Sequence, residues 1–105
     1  MTILYTTYQD FYETTNNDLV LLVFSSTWCE PCKRMHSVLK EIDREVNGTV
    51  KIVINDLYEN QDFANNFDII GTPTLILLRG GKVLEKMIGY QPKEIVTDFI
   101  QKHLV

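Results

Sequence analysis

Hydrophobic residues change their spacing several times along this chain, and each change predicts a different element of secondary structure. The run from Leu19 to Phe24 is uninterrupted and lies between the polar pairs Asn17-Asp18 and Ser25-Ser26. Such a run is typical of a strand buried on both faces, and strands of that kind usually lie in parallel sheets. From Glu30 onward, apolar residues recur every three or four positions and predict one helix that ends at Asn47-Gly48. They are Met35, Val38, Leu39, Ile42 and Val46.

Weaker patterns predict further elements on either side. Residues Ile3 to Tyr5 form a candidate first strand, and an amphipathic helix is expected from about Tyr8 to Thr15. The segment "TVKIVIN" alternates and predicts a strand. Its one face carries Val50, Ile52 and Ile54, and its other face carries Val53. Tyr58 to Phe67 is expected to form a short, polar helix.

The last third of the chain predicts a hairpin followed by a helix. Two apolar segments flank Gly80-Gly81, a pair that favours a tight turn. Pro92 then opens a helix, whose expected apolar face consists of Ile95, Phe99, Ile100 and Leu104. The element order, β-α-β-α-β-α-β-β-α, predicts an α/β fold with a mixed central sheet. A parallel core, a terminal antiparallel hairpin and helices on both faces are expected.

Composition narrows the class of protein. The chain has 105 residues, of which 45% are hydrophobic, so we expect a single ordered domain across residues 1–105. Ten basic residues against fourteen acidic ones give a net charge of −4. This balance disfavours nucleic acid and anionic membranes as partners, because both require clustered Lys and Arg.

The apolar runs also bear on location. The longest, Leu19 to Phe24, is far shorter than the ~20 residues of a membrane span. The start "MTILYTTYQDFYE" has no basic region, long apolar stretch or small-residue cleavage site. These features predict a cytoplasmic protein, in which a permanent structural disulfide is uncommon.

The candidate chemistry lies in "SSTWCEPCKRMH", which contains both cysteines of the chain. Cys29 follows the buried strand at the start of the long helix, where unpaired N–H groups and the helix dipole stabilise a thiolate. Cys32 lies one turn further on the same side, close enough to form a disulfide, and the pattern favours redox chemistry. The alternative is a zinc site, but Cys29, Cys32, His36 and the distant His103 make a poor ligand set, and we expect no metal.

Several motifs together resemble the thioredoxin family. "WCEPCK" is similar to its active-site motif, which usually has Gly in place of Glu30. "GTPT" from Gly71 to Thr74 resembles the segment with the family's cis-proline. "RGGKV" and "IGY" resemble its hairpin turn and the glycine loop of its substrate groove. The resemblance spans nearly the whole chain and implies the thioredoxin fold and protein-disulfide reductase activity.

The resemblance also implies roles for individual residues. Cys29 would be the nucleophile and Cys32 the resolving thiol, while a cis bond at Thr72–Pro73 would leave the Thr72 backbone free to pair with a substrate peptide. The implied substrate groove consists of Trp28, Glu30, Pro31, Thr72, Pro73, Gly89 and Tyr90. No cofactor is implied beyond the redox-active cysteine pair. The implied partners of a monomeric chain are disulfide-containing proteins and a thioredoxin reductase or similar electron donor.

Several positions depart from the family pattern, and those nearest the chemistry are a buried pair and Glu30. The family usually buries an aspartate six positions before the first cysteine and a lysine near it, but Val23 and Ile54 stand at those positions here. Cys32 must still lose a proton, and His36, one turn further along the helix, is a candidate for proton exchange; the alternative is a solvated histidine. Glu30 places a carboxylate beside Cys29, where it is expected to raise the pKa of the thiol modestly.

Two alternatives to a general reductase follow from these departures. The chain could use the groove only to bind proteins, with slow or idle cysteines. It could also serve a dedicated partner with its own reductase.

Overall fold

The computed structural model describes residues 8–15, 17–46 and 48–104. The predicted strand at Ile3 to Tyr5 lies outside these residues. The described elements, in chain order, are α1 (Tyr8–Thr15), β1 (Leu19–Ser25), α2 (Glu30–Val46), β2 (Lys51–Asp56), α3 (Gln61–Ala64), a 3-10 turn (Asn65–Phe67), β3 (Thr74–Arg79), β4 (Lys82–Ile88) and α4 (Lys93–Gln101).

The four described strands form one mixed sheet in the order β2-β1-β3-β4. β1 runs parallel to β2, and it pairs antiparallel with β3, which in turn pairs antiparallel with β4. The parallel part of the described sheet is therefore the single pair β1–β2, less than the parallel core that the sequence suggested. Strand β1 has neighbours on both edges and is buried along its whole length, as its uninterrupted apolar run predicted.

Helices cover both faces of the sheet, as predicted, and two apolar clusters form the core. Residues of α2 and α4 pack with one set of strand side chains, which includes Leu21 and Val23. Phe11 of α1 and Phe63 of α3 pack against the opposite set, which includes Phe24. The alternation of β1 side chains between the two clusters explains why both of its faces are apolar.

The long helix matches its predicted pattern. Met35, Leu39 and Ile42 are buried, and Val38 and Val46 pack against the same cluster. α2 begins at the residue after Cys29 and is 17 residues long. The apolar stripe of the helix packs against the sheet and thereby holds its first turn in place.

Two predicted elements were wrong in part. The helix expected from Tyr58 to Phe67 is reduced to α3 and the 3-10 turn. The Asp56 carboxylate accepts hydrogen bonds from the backbone N–H groups of Tyr58 and Glu59, at 2.9 and 3.2 Å. This local turn competes with helix formation and delays the start of α3 to Gln61.

The apolar face predicted for α4 also needs correction. Val96 is buried together with Phe99 and Ile100, whereas Ile95 is 46% exposed. Leu104 lies beyond the end of the helix and is 39% exposed. By spacing alone, either Ile95 or Val96 can belong to the apolar stripe with Phe99 and Ile100. The rotation of α4 about its axis against the sheet buries Val96.

Among the described helices, none combines the length and the apolar character needed to span a bilayer.

Candidate active site

The two cysteines lie where the chain leaves β1 and enters α2. Strand β1 ends at Ser25, and Cys29 immediately precedes the first residue of the helix. Cys29 and Cys32 form a disulfide with a Cα–Cα distance of 5.2 Å. Cys29 is partly exposed, whereas Cys32 is only 1% exposed. An incoming molecule can therefore reach the first sulfur but not the second.

The start of α2 directs a hydrogen-bond donor at the exposed sulfur. The backbone N–H of Cys32 donates to Cys29 Sγ at 3.2 Å. It is one of the N–H groups that a helix leaves unpaired in its first turn. In the reduced protein the same N–H would stabilise a thiolate on Cys29, because hydrogen bonds to an ionised acceptor are stronger than those to a neutral one.

A second segment, just before β3, lies next to Cys29, because β3 is a direct neighbour of β1 in the sheet. The Thr72–Pro73 peptide bond is cis, as predicted. The Thr72 carbonyl oxygen lies 3.4 Å from Cys29 Sγ, so a reduced Cys29 thiol can donate to it. The loop before β3 thus reaches the sulfur directly, although it is more than 40 residues away in sequence.

A third segment lies beside Pro73. The Gly89 backbone N–H donates to the Pro73 carbonyl at 2.7 Å. Gly89 has a φ of +92°, which only glycine adopts readily, and a Cβ built on it would meet no atom within 4 Å. The space at the Cβ position of this residue is therefore open. The structure brings together the CxxC turn, the proline loop and the glycine loop that the sequence analysis had grouped.

The remaining groove residues differ in exposure. Trp28 is 85% exposed beside Cys29, and Pro31 is exposed in the first turn of α2. Tyr90 is half-buried, and its ring lies under the guanidinium of Arg34, whose Cζ is 4.5 Å from the ring centroid. The sequence analysis did not identify Arg34, because no local signal connects it with a tyrosine 56 positions later.

Glu30 is exposed, and a neighbouring cation offsets its charge. Its carboxylate forms an ion pair with Lys33 Nζ at 3.3 Å, and the two side chains are 79% and 65% exposed. Water therefore screens the carboxylate, and a cation of the same helical turn offsets it.

His36 is half-buried one turn after Cys32. Its Nε2 lies 3.4 Å from the Ser25 hydroxyl at the end of β1. Burial, and secondarily the positive charge of Lys40, lower the pKa of His36 below its ordinary value of 6.5. The imidazole is therefore mainly neutral at neutral pH and carries a nitrogen able to accept a proton.

Two apolar residues, Val23 and Ile54, occupy the positions at which the family pattern has a charged pair. Val23 and Ile54 are direct partners in the parallel register of β1 and β2. Both belong to the apolar cluster beneath α2, which also contains Met35. Among the described residues, no Asp or Glu side chain is buried that could replace the aspartate of the family pattern.

The zinc alternative has little support in the described part of the chain. No group of three or more His, Cys, Asp and Glu side chains there could hold a metal ion. His103 contacts the Glu85 carboxylate at 2.8 Å instead of the cysteines.

Comparisons with known proteins agree with this geometry. A family model described as Thioredoxin matches residues 2–102. The chain is 39% identical over 104 residues to a thioredoxin of Bacillus subtilis, which covers 99% of this chain and 100% of the relative. It is also 39% identical over 94 residues to a thioredoxin of Listeria monocytogenes, covering 90% and 91% of the two chains.

Two solved structures share the fold. The germline-specific thioredoxin Deadhead of Drosophila melanogaster aligns with a TM-score of 0.83 at 24% identity, over 96% of this chain and 98% of that one. A thioredoxin of Malassezia sympodialis aligns with a TM-score of 0.85 at 24% identity, over 99% and 90%.

Proposed function

We propose a reaction cycle for this chain on the premise that it belongs to the thioredoxin family and is a thiol–disulfide oxidoreductase. In the proposed cycle the chain reduces disulfides of partner proteins and alternates between a Cys29/Cys32 dithiol and the disulfide seen in the structure. The observation that carries the proposal is the position of Cys29 Sγ, which is partly exposed and accepts the Cys32 N–H.

The first step is an attack by the Cys29 thiolate on one sulfur of a substrate disulfide. A bond forms between Cys29 and that sulfur, the substrate S–S bond breaks, and the other substrate sulfur leaves as a thiolate that takes up a proton. The buried Cys32 does not compete for the substrate, because the incoming sulfur cannot reach it.

The second step returns the chain to its oxidised form. Cys32 loses its proton and attacks Cys29 Sγ, which breaks the mixed disulfide and releases the second substrate thiolate. The Cys29–Cys32 bond that forms is the one in the structure. Two electrons have then moved from the dithiol to the substrate, and a disulfide reductase must return two electrons to this chain.

Docking would use the segments around Cys29. In the proposal the Thr72 backbone pairs with an extended substrate segment, in the manner of an added strand. Trp28 and Pro31 supply exposed surface on one side, and Gly89 and Tyr90 border the other. The open space at Gly89 supports this placement, since no described atom beyond its chain neighbours lies within 4 Å of the position of a Cβ there.

His36 is proposed to take part in the deprotonation of Cys32. It lies four residues after Cys32, on the same side of α2. With the family's aspartate absent at Val23, it is a neutral, half-buried base on that side of the helix. We expect His36→Ala to slow resolution of a preformed mixed disulfide, measured in a single turnover, while the first attack by Cys29 keeps its rate. An unchanged resolution rate would assign the proton transfer to water or to the departing thiolate.

Reduction of insulin driven by dithiothreitol tests the activity. Native chain should accelerate insulin precipitation, Cys29→Ser should abolish the acceleration, and Cys32→Ser should accumulate a covalent complex with the substrate. Ser37→Ala changes an exposed residue of the same helix and serves as the matched control with unchanged activity. Absence of turnover by native chain at every pH would favour a module that binds proteins without redox chemistry.

The electron donor and location belong to the same proposal. We place the chain in the cytoplasm, with a thioredoxin reductase as donor and no cofactor of its own. Measuring the Cys29–Cys32 potential against glutathione determines the direction of exchange. Efficient turnover with dithiothreitol but poor reduction by a generic thioredoxin reductase would indicate a dedicated donor.

A further inference from the structure

One cation at the groove has no carboxylate partner in the described structure. Arg34 is exposed on α2, and its guanidinium lies over the Tyr90 ring, with Cζ 4.5 Å from the ring centroid. Its described contacts include no ion pair within 4.0 Å. The cation–π contact holds the guanidinium at the Tyr90 ring, and its N–H groups, which form no ion pair in the described structure, can donate to a planar acceptor.

The nearest candidate to neutralise Arg34 within its own helix is otherwise engaged. Glu30 lies four positions earlier, a spacing that normally allows an ion pair with Arg34. The structure instead places the Glu30 carboxylate 3.3 Å from Lys33 Nζ. Arg34 lies over Tyr90 instead of pairing with Glu30, and its charge has no ion-pair partner in the described structure.

Tyr90 connects this charge with the substrate path. It follows Gly89, whose N–H is fixed to the Pro73 carbonyl at 2.7 Å. Thr72, on the other side of Pro73, contacts Cys29 Sγ through its carbonyl. A segment that passes Cys29 and crosses Gly89 next reaches Tyr90, over whose ring the Arg34 guanidinium lies.

We propose that Arg34, held on Tyr90, selects substrate disulfides whose cysteine is flanked by a carboxylate side chain. The proposal rests on the proposed function, and it specifies the chemistry of the substrate at the same groove. A carboxylate fits because Arg presents paired N–H groups that match its two oxygens, whereas amides and hydroxyls gain less from the charge. In a chain of net charge −4, a local cation offsets the general repulsion of acidic substrates.

Two synthetic peptide disulfides test this selectivity. Each peptide carries one cysteine in a mixed disulfide with a chromophoric aromatic thiol. One has glutamate on both sides of the cysteine, and the other has the isosteric glutamine. The second-order rate constant for attack by reduced native chain is measured at low and high salt. We expect the glutamate peptide to react about threefold faster at low salt and the preference to fall as salt is added.

Two variants locate the origin of the preference. Arg34→Gln should bring the ratio of the two rate constants to about one. Arg44→Gln removes the same charge from an exposed position ten residues later on α2, about 15 Å along the helix axis, and should keep the native ratio. Comparing the ratios removes any common effect of a variant on the reactivity of Cys29.

The outcomes separate this proposal from the one on which it rests. Fast but equal rates for the two peptides, or a preference that survives in Arg34→Gln, would overturn the role of Arg34 alone. Rates no faster than those of free cysteine with both peptides would overturn the oxidoreductase cycle and this selectivity together.

Discussion

Val23 and Ile54 stand opposite each other in the parallel pair of β1 and β2, and both side chains are buried. The family resemblance places a charged pair at these two positions. Here both charges are replaced by apolar groups, so neither an aspartate nor a lysine is left without its partner. Replacement of a buried ion pair by packed apolar side chains is often neutral or stabilising. The replacement of both charges is therefore expected to change the stability of the fold little. Its consequence concerns the deprotonation of Cys32.

Restoring one charge alone should destabilise the chain strongly. Val23→Asp puts a carboxylate at a position with 0% exposure, and we expect the free energy of unfolding to fall by roughly 3–5 kcal/mol at neutral pH. The double variant Val23→Asp/Ile54→Lys should recover about 1 kcal/mol or more relative to the sum of the single variants. Urea unfolding of the four proteins in this cycle measures the coupling.

Dependence on pH separates the introduced charge from lost packing. Burial would raise the pKa of the new carboxyl above its unfolded value, so the penalty is complete above the folded pKa and shrinks as the pH falls through it. Val23→Ala, which only removes methyl groups, should show no such dependence. If the free energy of unfolding depends on pH equally in the two variants, the introduced carboxylate is hydrated rather than buried.

Glu30 should affect Cys29 only weakly. Its carboxylate is exposed and paired with Lys33, so Glu30→Gln is expected to accelerate alkylation of reduced Cys29 about twofold at low salt. Lys33→Gln should slow the same reaction to a similar extent, because it removes the opposite charge. Iodoacetamide kinetics at neutral pH measure both effects.

Salt and a distant carboxylate provide the controls for Glu30. At high salt the three proteins should react alike, since both side chains are solvated. Glu41→Gln removes an exposed carboxylate further along α2 and should leave the rate unchanged. Faster alkylation of native chain than of Glu30→Gln would contradict the expected opposition to the thiolate.

The charge of His36 should make the fold sensitive to mild acid. Burial first, and Lys40 second, lower the pKa of His36 from 6.5, so the folded state binds this proton less readily than the unfolded chain. The corresponding stability is present above pH 6.5 and is lost as the pH falls through the folded pKa. Urea unfolding at several pH values should show this loss in native chain, and a smaller loss in His36→Asn.

Lys40→Gln tests the second cause of the same shift. The pKa of His36 should rise in this variant but stay below 6.5, because burial, the larger cause, remains. NMR titration of the imidazole protons measures it. A return to 6.5 or above would show that the charge of Lys40, not burial, controls the histidine.

At Gly89 there is room for a methyl group, but the backbone conformation disfavours any residue other than glycine. A Cβ there would touch nothing within 4 Å, yet the φ of +92° is unfavourable for any L side chain. We expect Gly89→Ala to lower the free energy of unfolding by about 1 kcal/mol. Gly71→Ala is the matched control, because its φ is not positive and its Cβ would meet Ile88 at an ordinary 3.7 Å. Equal losses in the two variants, measured by urea unfolding, would contradict a backbone origin.

Patterns within single segments were enough to predict much of this fold. The stripe from Met35 to Val46 predicted α2, and the apolar run predicted a β1 that is buried throughout. The resemblance of the motifs grouped three distant segments that the structure indeed brings to Cys29. These features are encoded locally, because hydrophobic spacing and the residue types at a helix start depend on near neighbours in the chain.

Other features depended on contacts that no local pattern contains. Ile95 and Val96 both suit an apolar stripe, and only the packing of α4 on the sheet buries the second. The start of α3 depends on the Asp56 carboxylate, which accepts hydrogen bonds from two backbone N–H groups that precede the helix.

By itself, therefore, the sequence predicted most of the described helices and strands and placed both cysteines at the start of the long helix. Only the tertiary structure decided that β1 pairs antiparallel with β3 and that Arg34 rests on Tyr90 rather than on Glu30. The physical reason is the range of the interactions. The periodicity of hydrophobic residues indicates which side of a helix or strand is apolar. The direction of strand pairing and the partners of side chains depend on contacts between distant segments, which form only when the whole core packs.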